Sequence, residues 1–148
     1  TFAKFQKSAA EEDSKFVGSS MAIIDFERNM YKNPDQDLKQ LWKDMSVKYK
    51  GRSEKDEATN EWATIPHFLS HPAYYQNYFR ASLIKAQLYD ALTEKFGNLT
   101  ENKDTAKYLN EHIFQYGGSK EDDEILEEVT GKPLSADAFC ERINKTVK

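Results

Sequence analysis

The sequence has one cysteine, no long apolar run and no excess of basic residues, and each absence excludes a class of protein. Cys140 cannot form an intramolecular disulfide, and its apolar neighbours at helical spacing predict a small core residue. No stretch approaches the roughly 20 apolar residues that cross a bilayer, and no signal-peptide pattern is present. The 21 basic and 25 acidic residues are interspersed, without the basic stripe that binds phosphates. We therefore expect a soluble protein, cytoplasmic, periplasmic or secreted, with no membrane span and no nucleic-acid partner.

Helical periodicity dominates what is present. The chain has 148 residues, enough for about one domain with a substantial core, and we treat 1–148 as a single helical region. No segment shows a convincing period of two, so the sequence predicts an all-α bundle of about six helices. The predicted helices cover about 9–32, 34–50, 72–96, 101–116, 120–130 and 136–147. The third is apolar on nearly every side, which is typical of a central helix.

Proline, glycine and small polar residues predict where these helices begin and end. Asn33 is the predicted cap of the second helix, with Pro34 in its first position and Gly51 after its end. Pro72 is predicted to open the long third helix. Ser119 is predicted to cap the fifth, in a pattern that resembles a capping box.

One stretch, HFLSHPAYYQNYF at residues 67–79, concentrates neutral hydrogen-bonding side chains in a chain whose other polar residues are mostly charged. Tyr74, Tyr75 and Tyr78 fall at i, i+1 and i+4 in the first turns of a helix, near His67. The plainest interpretation is core packing with satisfied hydroxyls. However, each polar group left unpaired in a core costs about 1 to 3 kcal/mol, so a dry core would favour Phe and Leu. The wall of a binding cleft would use the residues found here.

A metal site within this chain is the second interpretation. His67 and His71 form an H-x-x-x-H pair, but a zinc site needs three or four ligands. His71 also directly precedes Pro72, which disfavours a helix that continues from His67 through His71. His112 and Cys140 have no ligand spacing to this pair. We therefore predict no metal bound by this chain alone.

Three segments together carry a family resemblance. In order, AIIDFERNMYKNPDQDLKQLWKDMSVKYKG, EWATIPHFLSHPAYYQNYF and YGGSKEDDEILEEVTGKPLSADAF resemble the C-terminal part of the angiotensin-converting-enzyme-like peptidyl-dipeptidases. The spacing of His67, Pro72, Tyr74 and Tyr78 is similar to the H-F-x-x-x-P-x-Y-x-x-x-Y arrangement of oligoendopeptidase F. Both are helical zinc metallopeptidases that hydrolyse oligopeptides. The resemblance implies that this chain is the C-terminal part of such a zincin-type domain.

The resemblance also implies roles for the tyrosine cluster, with zinc as cofactor of the parent enzyme. Tyr78 and His67 would be catalytic, facing the scissile peptide, with Tyr78 stabilising the oxygen on which negative charge grows. Tyr75 and Tyr74 would bind the peptide substrate.

The chain departs from these families in ways that limit the prediction. The zinc signature H-E-x-x-H is absent, so we predict that this chain alone is inactive and that a missing N-terminal part of the same protein supplies the metal. Ile65 stands where a lysine holds the substrate carboxylate, and Asn77 replaces a chloride-binding arginine. The uncovered apolar face of such a fragment could also form a homodimer. The alternative function is a non-catalytic helical protein-binding module derived from such a peptidase.

Overall fold

The computed structural model describes the backbone of residues 2–147 and the side chains of residues 11–144. This part of the chain forms seven α-helices and no strand, which confirms the all-α prediction. The helices are α1 (Phe2–Lys32), α2 (Leu38–Lys50), α3 (His67–Ser70), α4 (Gln76–Phe96), α5 (Lys103–His112), α6 (Asp122–Thr130) and α7 (Asp137–Val147). Short 3-10 turns occupy Glu61–Thr64 and Phe114–Tyr116. None of the described helices is long and apolar enough to cross a membrane.

The described chain divides into two compact units: the first comprises the residues up to Arg80 together with those from Thr146 onward, and the second spans Ala81–Lys145. The first unit contains α1, α2, α3 and the first residues of α4. The second contains the rest of α4 and the helices that follow it. The candidate site residues His67, Tyr74, Tyr75 and Tyr78 all belong to the first unit.

An aromatic cluster around Phe26 forms the core of the first unit. Phe26 is fully buried, and its ring lies 5.2 Å from Trp42, 5.5 Å from Trp62 and 5.3 Å from Phe68, measured between centroids. Burial of one such side chain stabilises the fold by about 1.5–3 kcal/mol. One residue of α1 therefore contacts α2, the 3-10 turn that follows it, and α3. Partly buried residues around this core are Met30, Leu38, Leu41, Met45, Ile65 and Tyr75.

Close approach and a buried carboxylate hold α1 against α2. A Cβ atom on Gly18 would overlap the backbone carbonyl of Tyr49, so only glycine permits this separation. Farther along α1, the buried Asp25 accepts hydrogen bonds from the Tyr49 hydroxyl, from Lys48 Nζ at 3.2 Å and from Arg28 Nη2 at 2.7 Å. The Tyr49 hydrogen bond, with smaller contributions from the two cations, holds the pKa of Asp25 below its usual value despite burial.

A buried glutamine organises the second unit. The Gln87 amide nitrogen donates to the backbone oxygens of Lys132 and Pro133, both at 3.1 Å, and to Thr130 Oγ1 at the same distance. Its oxygen accepts from the backbone N–H of Ser135 at 3.0 Å. One side chain of α4 therefore supplies hydrogen-bond partners for several backbone groups in the connection between α6 and α7.

The predicted start of α2 is wrong by several residues, although the predicted stop at Gly51 is confirmed. Asp37, rather than Asn33, is the cap, and its carboxylate accepts from the Gln40 N–H at 3.0 Å. The reason is Gln36, whose amide donates to the backbone oxygens of Asn29 and Asn33. These hydrogen bonds give backbone oxygens at the end of α1 a partner. The residues around Pro34 therefore form a turn instead of a helix.

Three further sequence predictions are wrong for identifiable reasons. The long helix begins at Gln76, because residues 71–74 form a turn that is held by a contact with α1. Ser119 does not cap α6, since its hydroxyl donates to the Tyr116 carbonyl oxygen at 2.7 Å. Cys140 is exposed on α7, where Phe139 takes the buried position.

We expect Gly18→Ala to destabilise the first unit by about 1–3 kcal/mol, because the added methyl group must push a helix backbone aside. Urea denaturation measures the free energy of unfolding. Gly118→Ala is the matched control, since a Cβ there meets no atom within 4 Å, and its effect should stay within about 0.5 kcal/mol. Equal stability of both variants would contradict the close approach of α1 and α2.

Candidate functional site

Helix α3 places His67 at the edge of the core of the first unit. The next residue, Phe68, is buried against Phe26 and fixes the orientation of this single helical turn. Leu69, on the other side, is 87% exposed. His67 is therefore half-buried.

A turn at residues 71–74 connects α3 to α4. Ala73 has a φ of 57°, in the left-handed region that a residue with a Cβ atom adopts at a cost of about 1 kcal/mol or more. Its backbone N–H donates to Glu27 Oε1 on α1 at 2.7 Å. The same oxygen accepts from the Tyr31 hydroxyl at 3.1 Å. Partial burial and the Glu27 carboxylate raise the pKa of the Tyr31 phenol.

The three tyrosines around the start of α4 have different environments. Tyr75 is half-buried and packs against the core around Phe26. Tyr74 and Tyr78 are each 43% exposed. Their rings form edge contacts with one another, with centroids 5.5 Å apart for Tyr74 and Tyr78 and 5.4 Å apart for Tyr75 and Tyr78. One tyrosine thus anchors the group to the core, while the other two are exposed at the surface of the first unit.

His67 lies at the centre of these tyrosines. Its ring stacks on Tyr74 with centroids 6.2 Å apart and meets Tyr75 and Tyr78 edge-on, at 5.3 and 5.6 Å. Its Nε2 lies 3.2 Å from the Tyr78 hydroxyl oxygen. The structure therefore brings together the four residues predicted as a site, which we call the His67–Tyr78 cluster.

The hydrogen bond between His67 and Tyr78 can form in either direction. A neutral imidazole protonated at Nδ1 accepts the phenol proton, whereas one protonated at Nε2 donates to the phenol oxygen. In the second arrangement the Tyr78 hydroxyl accepts the hydrogen bond from His67 and keeps its own proton. A neutral donor paired with an imidazole is well suited to bind a carbonyl oxygen on which negative charge develops.

The cluster does not have the composition of a metal site. His71 lies beyond the end of α3, as predicted from the following proline, and its ring centroid is 6.3 Å from that of His67. His112 instead packs on Tyr108, with centroids 4.1 Å apart. Among the residues whose side chains the structure describes, no three His, Cys, Asp or Glu residues lie close enough to hold a metal ion.

Glu27 is part of the site geometry, although the sequence prediction did not include it. Its carboxylate is buried and reaches the turn before α4 across 46 residues of sequence. The sequence did contain an indication that Glu27 is buried. Ile23, Phe26 and Met30 define an apolar face of α1, and Glu27 lies on that face, four residues after Ile23. A charged residue at a core position requires a specific partner.

A comparison with protein families identifies a match over most of the chain. The family model described as carboxypeptidase Taq (M32) metallopeptidase matches residues 32–147, a range that includes α2 to α7 and the whole His67–Tyr78 cluster. Neither a curated protein nor a solved structure shows a significant match.

Proposed function

The chain belongs to the carboxypeptidase Taq (M32) metallopeptidase family, and we propose that it forms the substrate-facing C-terminal segment of a zinc-dependent peptidase. The observation that carries the proposal is the accessible His67–Tyr78 cluster inside the matched range. The sequence has no H-E-x-x-H zinc signature, so in this proposal the zinc ligands come from an N-terminal part of the same protein. The residues of the cluster therefore act on the substrate.

In this proposal Tyr78 and His67 contact the reacting peptide bond. The Tyr78 hydroxyl donates to the carbonyl oxygen as negative charge develops on it, an interaction that is stronger in the transition state than in the ground state. His67 Nε2, 3.2 Å from that hydroxyl, orients it. Tyr74 presents an exposed ring and hydroxyl to the peptide, and Tyr75 supports the others from the core while its hydroxyl contacts the substrate.

The family description favours the release of residues from the C-terminus of a peptide. The peptidyl-dipeptidase and oligoendopeptidase activities suggested by the sequence are the alternatives. Ile65 packs against the Phe26 core, so this position gives the substrate carboxylate no cation. A carboxypeptidase would bind that carboxylate through another residue of the enzyme.

We expect Tyr78→Phe in the intact enzyme to lower kcat on a short peptide by about 10²- to 10³-fold with little change in KM, because the lost hydrogen bond acts in the transition state. Steady-state kinetics of the purified variant measures both constants. Tyr89→Phe is the matched control, since it removes an exposed hydroxyl from the same helix, outside the cluster. An unchanged kcat for Tyr78→Phe would exclude this role. An intact protein without any peptidase activity would favour the non-catalytic binding module.

We expect the products of the intact enzyme on a peptide of defined sequence to be single residues released from the C-terminus. Mass spectrometry over a time course identifies the first products. Amidation of the terminal carboxylate should reduce the rate strongly, because a carboxypeptidase recognises that charge. Release of dipeptides would support the peptidyl-dipeptidase alternative, and internal cleavage that is insensitive to amidation would support the oligoendopeptidase alternative.

The second unit has an apolar groove that we propose is covered by a second copy of the chain. The groove encloses about 500 Å³. Although α4 is apolar on nearly every side, its only buried residues among those described are Ala86, Gln87 and Leu92. Apolar residues that line the groove include Ile84, Leu88, Leu92, Leu99, Ile113 and Leu126.

We expect the isolated chain to form a homodimer as its concentration rises, because an uncovered apolar surface favours association. Light scattering coupled to gel filtration measures the mass. Leu88→Glu should abolish the dimer by placing a charge in the groove. Leu69→Glu, in the first unit and outside the groove, should leave it unchanged. A monomer at all concentrations, or equal effects of both variants, would contradict self-association through this surface.

A further inference from the structure

The Glu27 carboxylate is a buried charge whose two hydrogen bonds place it at the turn before α4. The side chain belongs to a residue that is only 5% exposed. Its Oε1 accepts from the backbone N–H of Ala73 at 2.7 Å and from the Tyr31 hydroxyl at 3.1 Å. A carboxylate in this position would be unfavourable without such partners, since desolvation of a charge must be offset by hydrogen bonds.

The turn needs an external contact because its own sequence disfavours its geometry. Ala73 occupies the left-handed region at a φ of 57°, where its Cβ atom crowds the backbone and glycine would be unstrained. The N–H that this conformation directs toward α1 is bound by Glu27. A charge-assisted hydrogen bond to a buried carboxylate is among the stronger contacts available to a backbone amide.

The turn lies between the two halves of the His67–Tyr78 cluster. On one side, the core residue Phe68 fixes α3 and therefore His67. On the other, Tyr75 rests on the same core and leads into the first turn of α4, which carries Tyr78. The backbone path from His67 to Tyr78 runs through Ala73, so the conformation at Ala73 sets how the two side chains face each other.

We propose that Glu27 is a positioning residue, which holds the Ala73 turn so that the Tyr78 hydroxyl stays within hydrogen-bonding distance of His67 Nε2. This inference rests on the proposed function of the cluster. Glu27 acts through the backbone of the turn and contacts neither substrate nor metal. Even a small displacement of a catalytic group lowers the rate of the reaction. Loss of the residue that fixes the turn should therefore lower kcat.

Amide hydrogen exchange tests the structural half of the proposal without reference to activity. In the ¹⁵N-labelled chain, Glu27→Ala should accelerate exchange of the Ala73 amide by about 10- to 100-fold, because its charged acceptor is lost. Glu27→Gln keeps a carbonyl oxygen at this place and should accelerate exchange less. Tyr49→Phe is the control, since it weakens the contact between α1 and α2 at Asp25 and should leave Ala73 unchanged relative to its neighbours.

Kinetics of the intact enzyme test the functional half through a double-mutant cycle. Glu27→Ala should lower kcat by about 10-fold or more with little change in KM, and should have little further effect in a Tyr78→Phe background, because both changes remove the same positioned hydroxyl. A general loss of stability would instead lower the activity of both backgrounds equally. Ala73→Gly should restore part of the lost kcat in Glu27→Ala, since glycine adopts the left-handed conformation without strain.

The outcomes separate this inference from the proposed function. Unchanged exchange at Ala73 in Glu27→Ala overturns the inference, whatever Tyr78→Phe does to turnover. Faster exchange with additive kinetic effects and no rescue by Ala73→Gly also overturns it, because the turn would then be irrelevant to Tyr78. If Tyr78→Phe has full activity, the proposed function fails and the exchange experiment still decides whether Glu27 holds the turn. If Glu27→Ala does not fold, two other variants allow the same comparison of Ala73 exchange and kcat. One is Glu27→Gln, and the other is the double variant that combines Glu27→Ala with Ala73→Gly.

Discussion

The ring of Phe26 is the contact on which the first unit depends. It touches Trp42 of α2, Trp62 of the 3-10 turn and Phe68 of α3, each with centroids between 5.2 and 5.5 Å apart. Aromatic pairs at these distances add to the stabilisation that burial provides. Since Phe68 is next to His67 in the chain, the same contact that stabilises the fold also fixes one half of the candidate site.

Two buried carboxylates flank Phe26 in the sequence and extend this arrangement in two directions. Asp25 is hydrogen-bonded to the Tyr49 hydroxyl and joins α1 to α2. Glu27 is hydrogen-bonded to the backbone of Ala73 and joins α1 to the turn before α4. Buried charges are tolerated only where partners replace water, so both residues specify which surfaces α1 must meet. A single helical segment thereby determines the core, the packing of its neighbour and the position of the turn.

The chemistry proposed for the cluster depends on this rigid frame. A hydroxyl contributes to catalysis when its direction is fixed before the substrate arrives, because no reorganisation is then needed in the transition state. Three contacts fix the direction of the hydroxyl: the packing of the Tyr75 ring on the core, the packing of α3 on the same core, and the hydrogen bond from Ala73 to Glu27. The chain belongs to a metallopeptidase family, and peptide hydrolysis places negative charge on a carbonyl oxygen, which is the group that we propose these neutral donors bind.

Local periodicity and composition were enough to predict several features of this chain. Apolar spacing predicted the helices, glycine predicted the end of α2 at Gly51, and the run of polar aromatic residues predicted which side chains would gather near His67. Three features could not be predicted in this way: the start of α4, the exposure of Cys140 and the involvement of Glu27. These features depend on contacts between distant segments, such as the one between Glu27 and Ala73, which are 46 residues apart. Local propensity cannot report such contacts, because the free energy that favours a left-handed alanine comes from the carboxylate of another helix.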